Sequence, residues 1–203
     1  SVMRNIRQFM NGMKNYLVKH GEGQFKKIVQ EERNKLKPDE FLNIDAILEE
    51  VLHKLVIKPL KNYLYQLFVN EYNKNGSLNL LSNNIKKALK KSPAEIGIRS
   101  ELQPPDAESM MIVYRNLNHL QKAYSPLRKL GYLLNATSAI YNSVKQQQLK
   151  KSQDSKCKSE HASFGADDFL PIFIYVLVQC RMISAEIEAE YIHGLIHPNL
   201  LTG

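Results

Sequence analysis

Two adjacent carboxylates stand at the mouth of the most apolar stretch of the chain. Phe164-Gly165-Ala166-Asp167-Asp168-Phe169-Leu170-Pro171 runs directly into Ile172-Phe173-Ile174-Tyr175-Val176-Leu177-Val178-Gln179-Cys180. A helix apolar on nearly every side belongs in the middle of a core. An acid at its start accepts the orphan backbone N–H groups and meets the positive end of the helix dipole. Asp168 reads as that N-cap. Pro171 then falls at the third helical position, inside the first turn, where its missing N–H costs nothing. Asp167 lies just outside the helix with no capping duty, a carboxylate fixed near the surface and free to act on something else. The plainer alternative is that both acids do no more than cap.

The remaining reactive side chains carry less. His193 and His197 have the i, i+4 spacing of zinc ligands. Gly194 replaces the acid that hydrolysis needs beside the first histidine, the third ligand would have to be Glu190, and Pro198 follows at once. We expect no metal there and no cofactor elsewhere. Cys157 lies in a polar stretch and Cys180 in the apolar helix, which suits neither a disulfide nor a nucleophile. A Gly-rich phosphate loop is absent. The lysine-rich patches lack interleaved aromatics and any nucleic-acid motif, so nucleic acid is not an expected partner.

The elements that must position the acid pair are helical throughout. The chain has 203 residues, 43% of them hydrophobic and 24% charged, as in a soluble globular protein. No apolar run approaches the roughly 20 residues needed to span a bilayer. Ser1-Val2-Met3-Arg4 does not open a signal peptide. Two thiols without a framework suit a reducing cytosol. The formal charge of +8 favours an acidic partner: nucleic acid, an anionic membrane or an acidic protein face.

Helical periodicity recurs along the chain, first in Met3, Ile6, Met10, Met13 and Leu17. Gly21-Glu22-Gly23 breaks that helix, and Phe25 to Lys37 predicts a charged second one. Phe41, Ile44, Ile47, Leu48, Val51, Leu52 and Leu55 carry a third. Pro59 should kink it or start a new helix, continued by Leu60, Leu64, Leu67 and Phe68. Ser77 caps a helix to Lys91 with Leu81, Ile85, Ala88 and Leu89 inward. Its terminal Lys86, Lys87, Lys90 and Lys91 suit either the dipole or an anionic membrane surface. Pro93 to Pro105 reads as a connector. Asp106 opens the next helix, and Ser125-Pro126 the one after, carried by Leu127, Leu130, Leu133, Leu134, Ile140 and Val144. Residues 145–163, rich in lysine and glutamine, read as a disordered loop. Ser184 caps a last helix with Ile187, Tyr191, Leu195 and Ile196, ended by Pro198. No period-2 strand and no internal repeat is found, so the fold is all-α.

Gly165-Ala166-Asp167-Asp168-Phe169-Leu170-Pro171 before an apolar helix resembles the signature of the Vps-nine (vacuolar protein sorting nine) domain. Leu52-His53-Lys54 to Lys58-Pro59-Leu60-Lys61, Asn75-Gly76-Ser77-Leu78, Ala123-Tyr124-Ser125-Pro126, Ile140-Tyr141, Glu188-Ala189-Glu190-Tyr191 and Pro198-Asn199-Leu200-Leu201-Thr202-Gly203 resemble the Ras and Rab interactor branch. The resemblance implies a helical bundle over residues 1–50 packed on a layered exchange domain over 51–203. It implies guanine-nucleotide exchange on Rab-five-like small GTPases at early endosomes, with Ras contacts left to domains outside this chain; a non-catalytic Rab-binding or scaffold module is the alternative. Asp167 matches the family's acidic finger, and Asp168, read above as the cap, is also placed with the partner-binding residues. Phe169, Leu170 and Pro171 match the groove that receives the GTPase, and Tyr191 is placed with the partner-binding residues. The family continues past Leu-Leu-Thr-Gly into an acidic-Gly-Gly-Tyr-Tyr-Leu-Thr run, so the resemblance makes the domain C-terminally incomplete at Gly203.

Overall fold

The computed structural model describes residues 2–154 and 164–197. Its elements are α1 (Val2–His20), α2 (Gln24–Asn34), α3 (Ile44–Leu52), α4 (Lys58–Lys74), α5 (Ser77–Ala88), α6 (Pro93–Ile96), α7 (Ala107–Lys122), α8 (Pro126–Asp154), α9 (Ala166–Gln179) and α10 (Ala185–Leu195). The fold is all-α, and no strand occurs among the described residues.

Pro59 does not break the path between α3 and α4. A π turn, His53–Ile57, joins them, so the chain stays helical from Ile44 to Lys74. Proline has no N–H to offer the carbonyl four residues back, and a wider turn accommodates the gap. The turn also rotates the inward face, burying His53 and Ile57 while Leu55 is left exposed. For that reason the predicted third helix overcounts its core. Leu48 and Leu52 are buried, whereas Phe41, Ile47, Val51 and Leu55 face solvent.

Two apolar clusters hold the molecule. One joins Val113, Leu117 and Leu120 of α7, Ala136, Ile140 and Val144 of α8, and Ile172 and Val176 of α9. The other joins Met3 and Met10 of α1, Leu52, Ile57, Leu64 and Phe68 of the α3–α4 run, and Ile187, Tyr191 and Leu195 of α10. The first helix thus packs directly on the last. Gly194 makes the contact possible: a Cβ there would lie 3.1 Å from Cβ of Met3. A glycine that looked like a failed zinc motif is a site of close helix approach.

Three further expectations need correction. Residues 145–154 are helical, the end of α8. Lysine and glutamine are good helix formers, and Val144 and Ser143 are buried just before. Gln147 also donates to the Pro104 carbonyl at 3.1 Å. The rest of the expected loop, 155–163, lies outside the described residues. The connector after Pro93 contains α6, closed by a capping box in which the Ser92 hydroxyl accepts from Glu95 N and Glu95 accepts from Ser92 N. At the start of α8 the inward face lies a quarter turn from the leucines. Lys129 is buried with Ala136 and Ile140, while Leu134 is exposed.

Candidate functional site

Helix α9 begins two residues earlier than its acids suggest. Gly165 is the N-cap, so Asp167 and Asp168 are the second and third residues of the helix. Asp168 is therefore not the N-cap. Its carboxylate reaches back to accept from Gly165 N at 3.2 Å, the half of a capping box that a third-position acid supplies. Asp167 is not outside the helix but in its first turn. Pro171 is the sixth helical residue, not the third, and has no N–H for the Asp167 carbonyl four positions back.

The two acids nonetheless differ in their surroundings, and a cation enforces the difference. Arg99 grips Asp168 with two parallel contacts, Nε to Oδ1 and Nη2 to Oδ2, each 2.7 Å. Such a fork fixes both position and plane of a carboxylate. The Asp168 side chain is 12% exposed as a result. Asp167 is exposed, and no side chain among the described residues pairs with it. Gly97 sets the fork up. It ends α6 in the left-handed region at φ 103°, where glycine is free of strain, and Pro171 packs against it. Sequence reading missed Arg99. The available signal was that it is the one cation between Lys91 and Arg115.

Around the acids lies an apolar shelf. Phe169 stacks on Phe173 with centroids 5.7 Å apart and meets Phe164 edge-on at 6.4 Å. Phe164 in turn packs on Tyr141 of α8 at 5.2 Å. Leu170 is 57% exposed and Ile174 is 43% exposed, so the apolar helix is not enclosed on every side. Exposed carboxylate and exposed leucine stand side by side on a rigid support, the combination a protein partner with a cation beside an apolar patch would fit.

Tyr191 does not belong to that surface. It is fully buried, and its hydroxyl donates to the Tyr124 carbonyl at 2.8 Å. It helps build a buried charged knot that sequence reading also missed. The Lys129 ammonium, fully buried, donates to Glu188 at 2.6 Å, to the Tyr65 hydroxyl at 2.5 Å and to the Leu120 carbonyl at 2.7 Å. It lies 5.0 Å from the Tyr191 ring centre and 5.1 Å from that of Tyr65. The Tyr65 hydroxyl donates to both Glu188 oxygens. Burial, then the Glu188 carboxylate, push the Tyr65 phenol far above its usual range, which keeps it a donor. Burial pulls the Lys129 ammonium down while Glu188 works against that. The knot ties α4, α8 and α10, and so joins the two apolar clusters.

A third polar line anchors α1. Lys14 donates to one Glu49 oxygen at 2.8 Å, and the other lies 3.4 Å from His53 Nε2. His53 Nδ1 lies 3.1 Å from the Ser125 hydroxyl. His53 first, with Lys14 adding to it, pulls the Glu49 carboxyl down to about 2. His193 is exposed on α10 and His197 lies past its end; among the described residues no group of three or more His, Cys, Asp or Glu side chains is placed to hold a metal ion. Cys180 is half-buried, and burial raises its thiol.

The chain is similar to known proteins. Residues 112–203 match the vacuolar sorting protein 9 (VPS9) domain, and residues 1–64 match the RIN1-like domain. The chain belongs to the VPS9 domain family, in its Ras and Rab interactor branch. It is 43% identical to protein sprint of Drosophila melanogaster over its whole length, 11% of that protein. It is 30% identical to mouse Ras and Rab interactor 2, again over its whole length and 20% of the relative. Against mouse Ras and Rab interactor 1 the identity is 34% over 83% of this chain and 20% of the relative. The chain thus spans between about a tenth and a fifth of these proteins.

Proposed function

We propose that this chain is a guanine-nucleotide exchange module for a Rab GTPase of the Rab-five kind, with Asp167 as its acidic finger. The single observation that carries the reading is the contrast between the two acids. Asp168 is locked to Arg99, while Asp167 projects uncompensated from the same turn. Membership of the VPS9 family and the relatives' names support a small GTPase as partner.

In this reading the GTPase seats an apolar surface on Leu170, Phe169 and Pro171. Asp167 then enters the nucleotide site. Its carboxylate pairs with the phosphate-loop lysine and takes over the charge that held the β-phosphate. It also repels the phosphates and disfavours the magnesium ion that anchors them. No covalent bond is made or broken. The module accelerates release by stabilising the nucleotide-free GTPase. The family points further to action at the cytoplasmic face of early endosomes, with Ras engaged by parts of the longer protein outside this chain. A bilayer of anionic lipid is the third expected partner.

The test is release of a fluorescent guanine nucleotide from purified Rab GTPases. Acceleration that is confined to Rab-five-like members and lost in Asp167→Ala supports the proposal. Tight binding without acceleration would make the chain a Rab-binding scaffold instead.

A further inference from the structure

We propose that the outward face of α5 is the surface by which this module lies on an anionic bilayer. The proposal deepens the membrane contact suggested above and is independent of the exchange chemistry. Helix α5 buries only Ile85, with Leu78, Leu81 and Ala88 half-buried on the same side against α4. The opposite side presents Leu80, Asn83, Asn84, Lys86 and Lys87, continued by Lys90 and Lys91 in the turn that follows, and all seven are exposed.

A helix dipole rewards cations in the last turn, and that alone would account for the lysines. It does not account for two other features. Between Glu71 and Glu95 the chain contains no carboxylate side chain at all. Solvated lysine faces of ordinary helices are interspersed with acids at i, i+4 spacing, which this one lacks. Among the described residues no carboxylate pairs with Lys86, Lys87 or Lys90; Lys91 lies near Glu95, whose carboxylate is already bonded to Ser92. The second feature is Leu80. It is 64% exposed on the same face, about two turns before Lys87 and beside Asn83 and Asn84, whose amides would hydrogen-bond lipid headgroups. An exposed leucine and a run of lysines along one face, with no acids, are what an anionic bilayer surface selects. An acidic protein surface would need an apolar pocket placed for the leucine as well as acids for the lysines, whereas a bilayer offers both everywhere.

Lys91 lies eight positions before Arg99, which holds Asp168, so the two are at most about 28 Å apart.

The experiment is sedimentation with vesicles of phosphatidylcholine, alone or mixed with phosphatidylserine. The protein is expected to bind only the mixed vesicles, and less as salt rises. Replacing Lys86, Lys87, Lys90 and Lys91 together by glutamate should reduce that binding at least about tenfold. Nucleotide release in solution, without vesicles, should stay at the wild-type rate. Leu80→Ser should weaken binding to the same vesicles with no change in net charge. A control variant with Lys19, Lys26, Lys27 and Lys145 replaced by glutamate carries the same charge change elsewhere and should retain most of the binding. Equal losses in the two fourfold variants would overturn the proposal in favour of non-specific charge. No binding to the mixed vesicles by the wild-type protein, with weakened GTPase binding in the α5 variant, would assign the face to an acidic protein. In either case a normal release rate would leave the exchange reading intact.

Discussion

Arg99 and Asp168 are joined by two 2.7 Å contacts across 69 residues of sequence, and this pairing leaves Asp167 as the unengaged acid of the turn. Arg99 is a positioning residue in this account. Arg99→Ala should lower the Tm modestly, by about 1 kcal/mol equivalent, since the pair is only partly buried. Release should slow several-fold at saturating module, because the first turn of α9 loses its tether. Arg99→Lys supplies charge without the fork and should recover stability more than rate. Rate and stability recovering in parallel would reduce Arg99 to a structural role.

The Lys129–Glu188 pair is buried and shared by three helices. Glu188→Ala leaves an unpaired buried ammonium and should cost on the order of 3–5 kcal/mol in urea unfolding. Lys129→Met combined with Glu188→Leu should cost much less than the sum of the single changes. Additive losses would mean that the two side chains do not act as a pair.

Glu49 makes the fold sensitive to acid. Its carboxyl sits at about 2 in the folded protein, below the ordinary 4.5. Depression of a carboxyl pKa means that the unfolded state takes up protons first as pH falls. The contribution is therefore complete above about pH 4.5 and lost as pH drops toward 2. Solvent reaching the Lys14 side screens part of it, leaving on the order of 2 kcal/mol. Stability curves of the wild type and Glu49→Gln should differ by about that amount at neutral pH and converge near pH 2. Curves that stay parallel through this window would exclude Glu49 as the acid-sensitive group.

Much of this was legible from residue order. The apolar run from Ile172 to Cys180, the breaks at Gly21-Glu22-Gly23 and Asn75-Gly76, and the cap at Asp106 are local signals, and the structure follows them. That one acid of the pair is engaged and the other exposed was legible, but not the details. Propensity places a cap on the first strong capping side chain, whereas here Gly165 caps and the acids move inside the helix. What escaped was decided at long range. Arg99, Lys129 and Glu188 each owe their role to a partner at least 59 residues away. Lys129 shares a helical face with Ala136 and Ile140, but a lysine there is ordinarily read as solvent-facing, because an unpaired buried ammonium is too costly. Tyr191 was assigned to the surface by resemblance and proved to be core, for its hydroxyl already has a backbone partner.

The most direct measurement is nucleotide release from a Rab-five-like GTPase with the wild-type chain, Asp167→Ala and Asp168→Ala side by side. Asp167 contributes only a first-turn charge to the fold, so its loss should cost no more than about 0.5 kcal/mol. Exchange should nevertheless fall at least a hundredfold, about 2.7 kcal/mol of lost stabilisation of the nucleotide-free complex. Asp168→Ala should show the opposite balance, with about 1 kcal/mol or more of stability lost and partial activity retained. An Asp167→Ala chain that exchanges nucleotide at the wild-type rate would contradict the account.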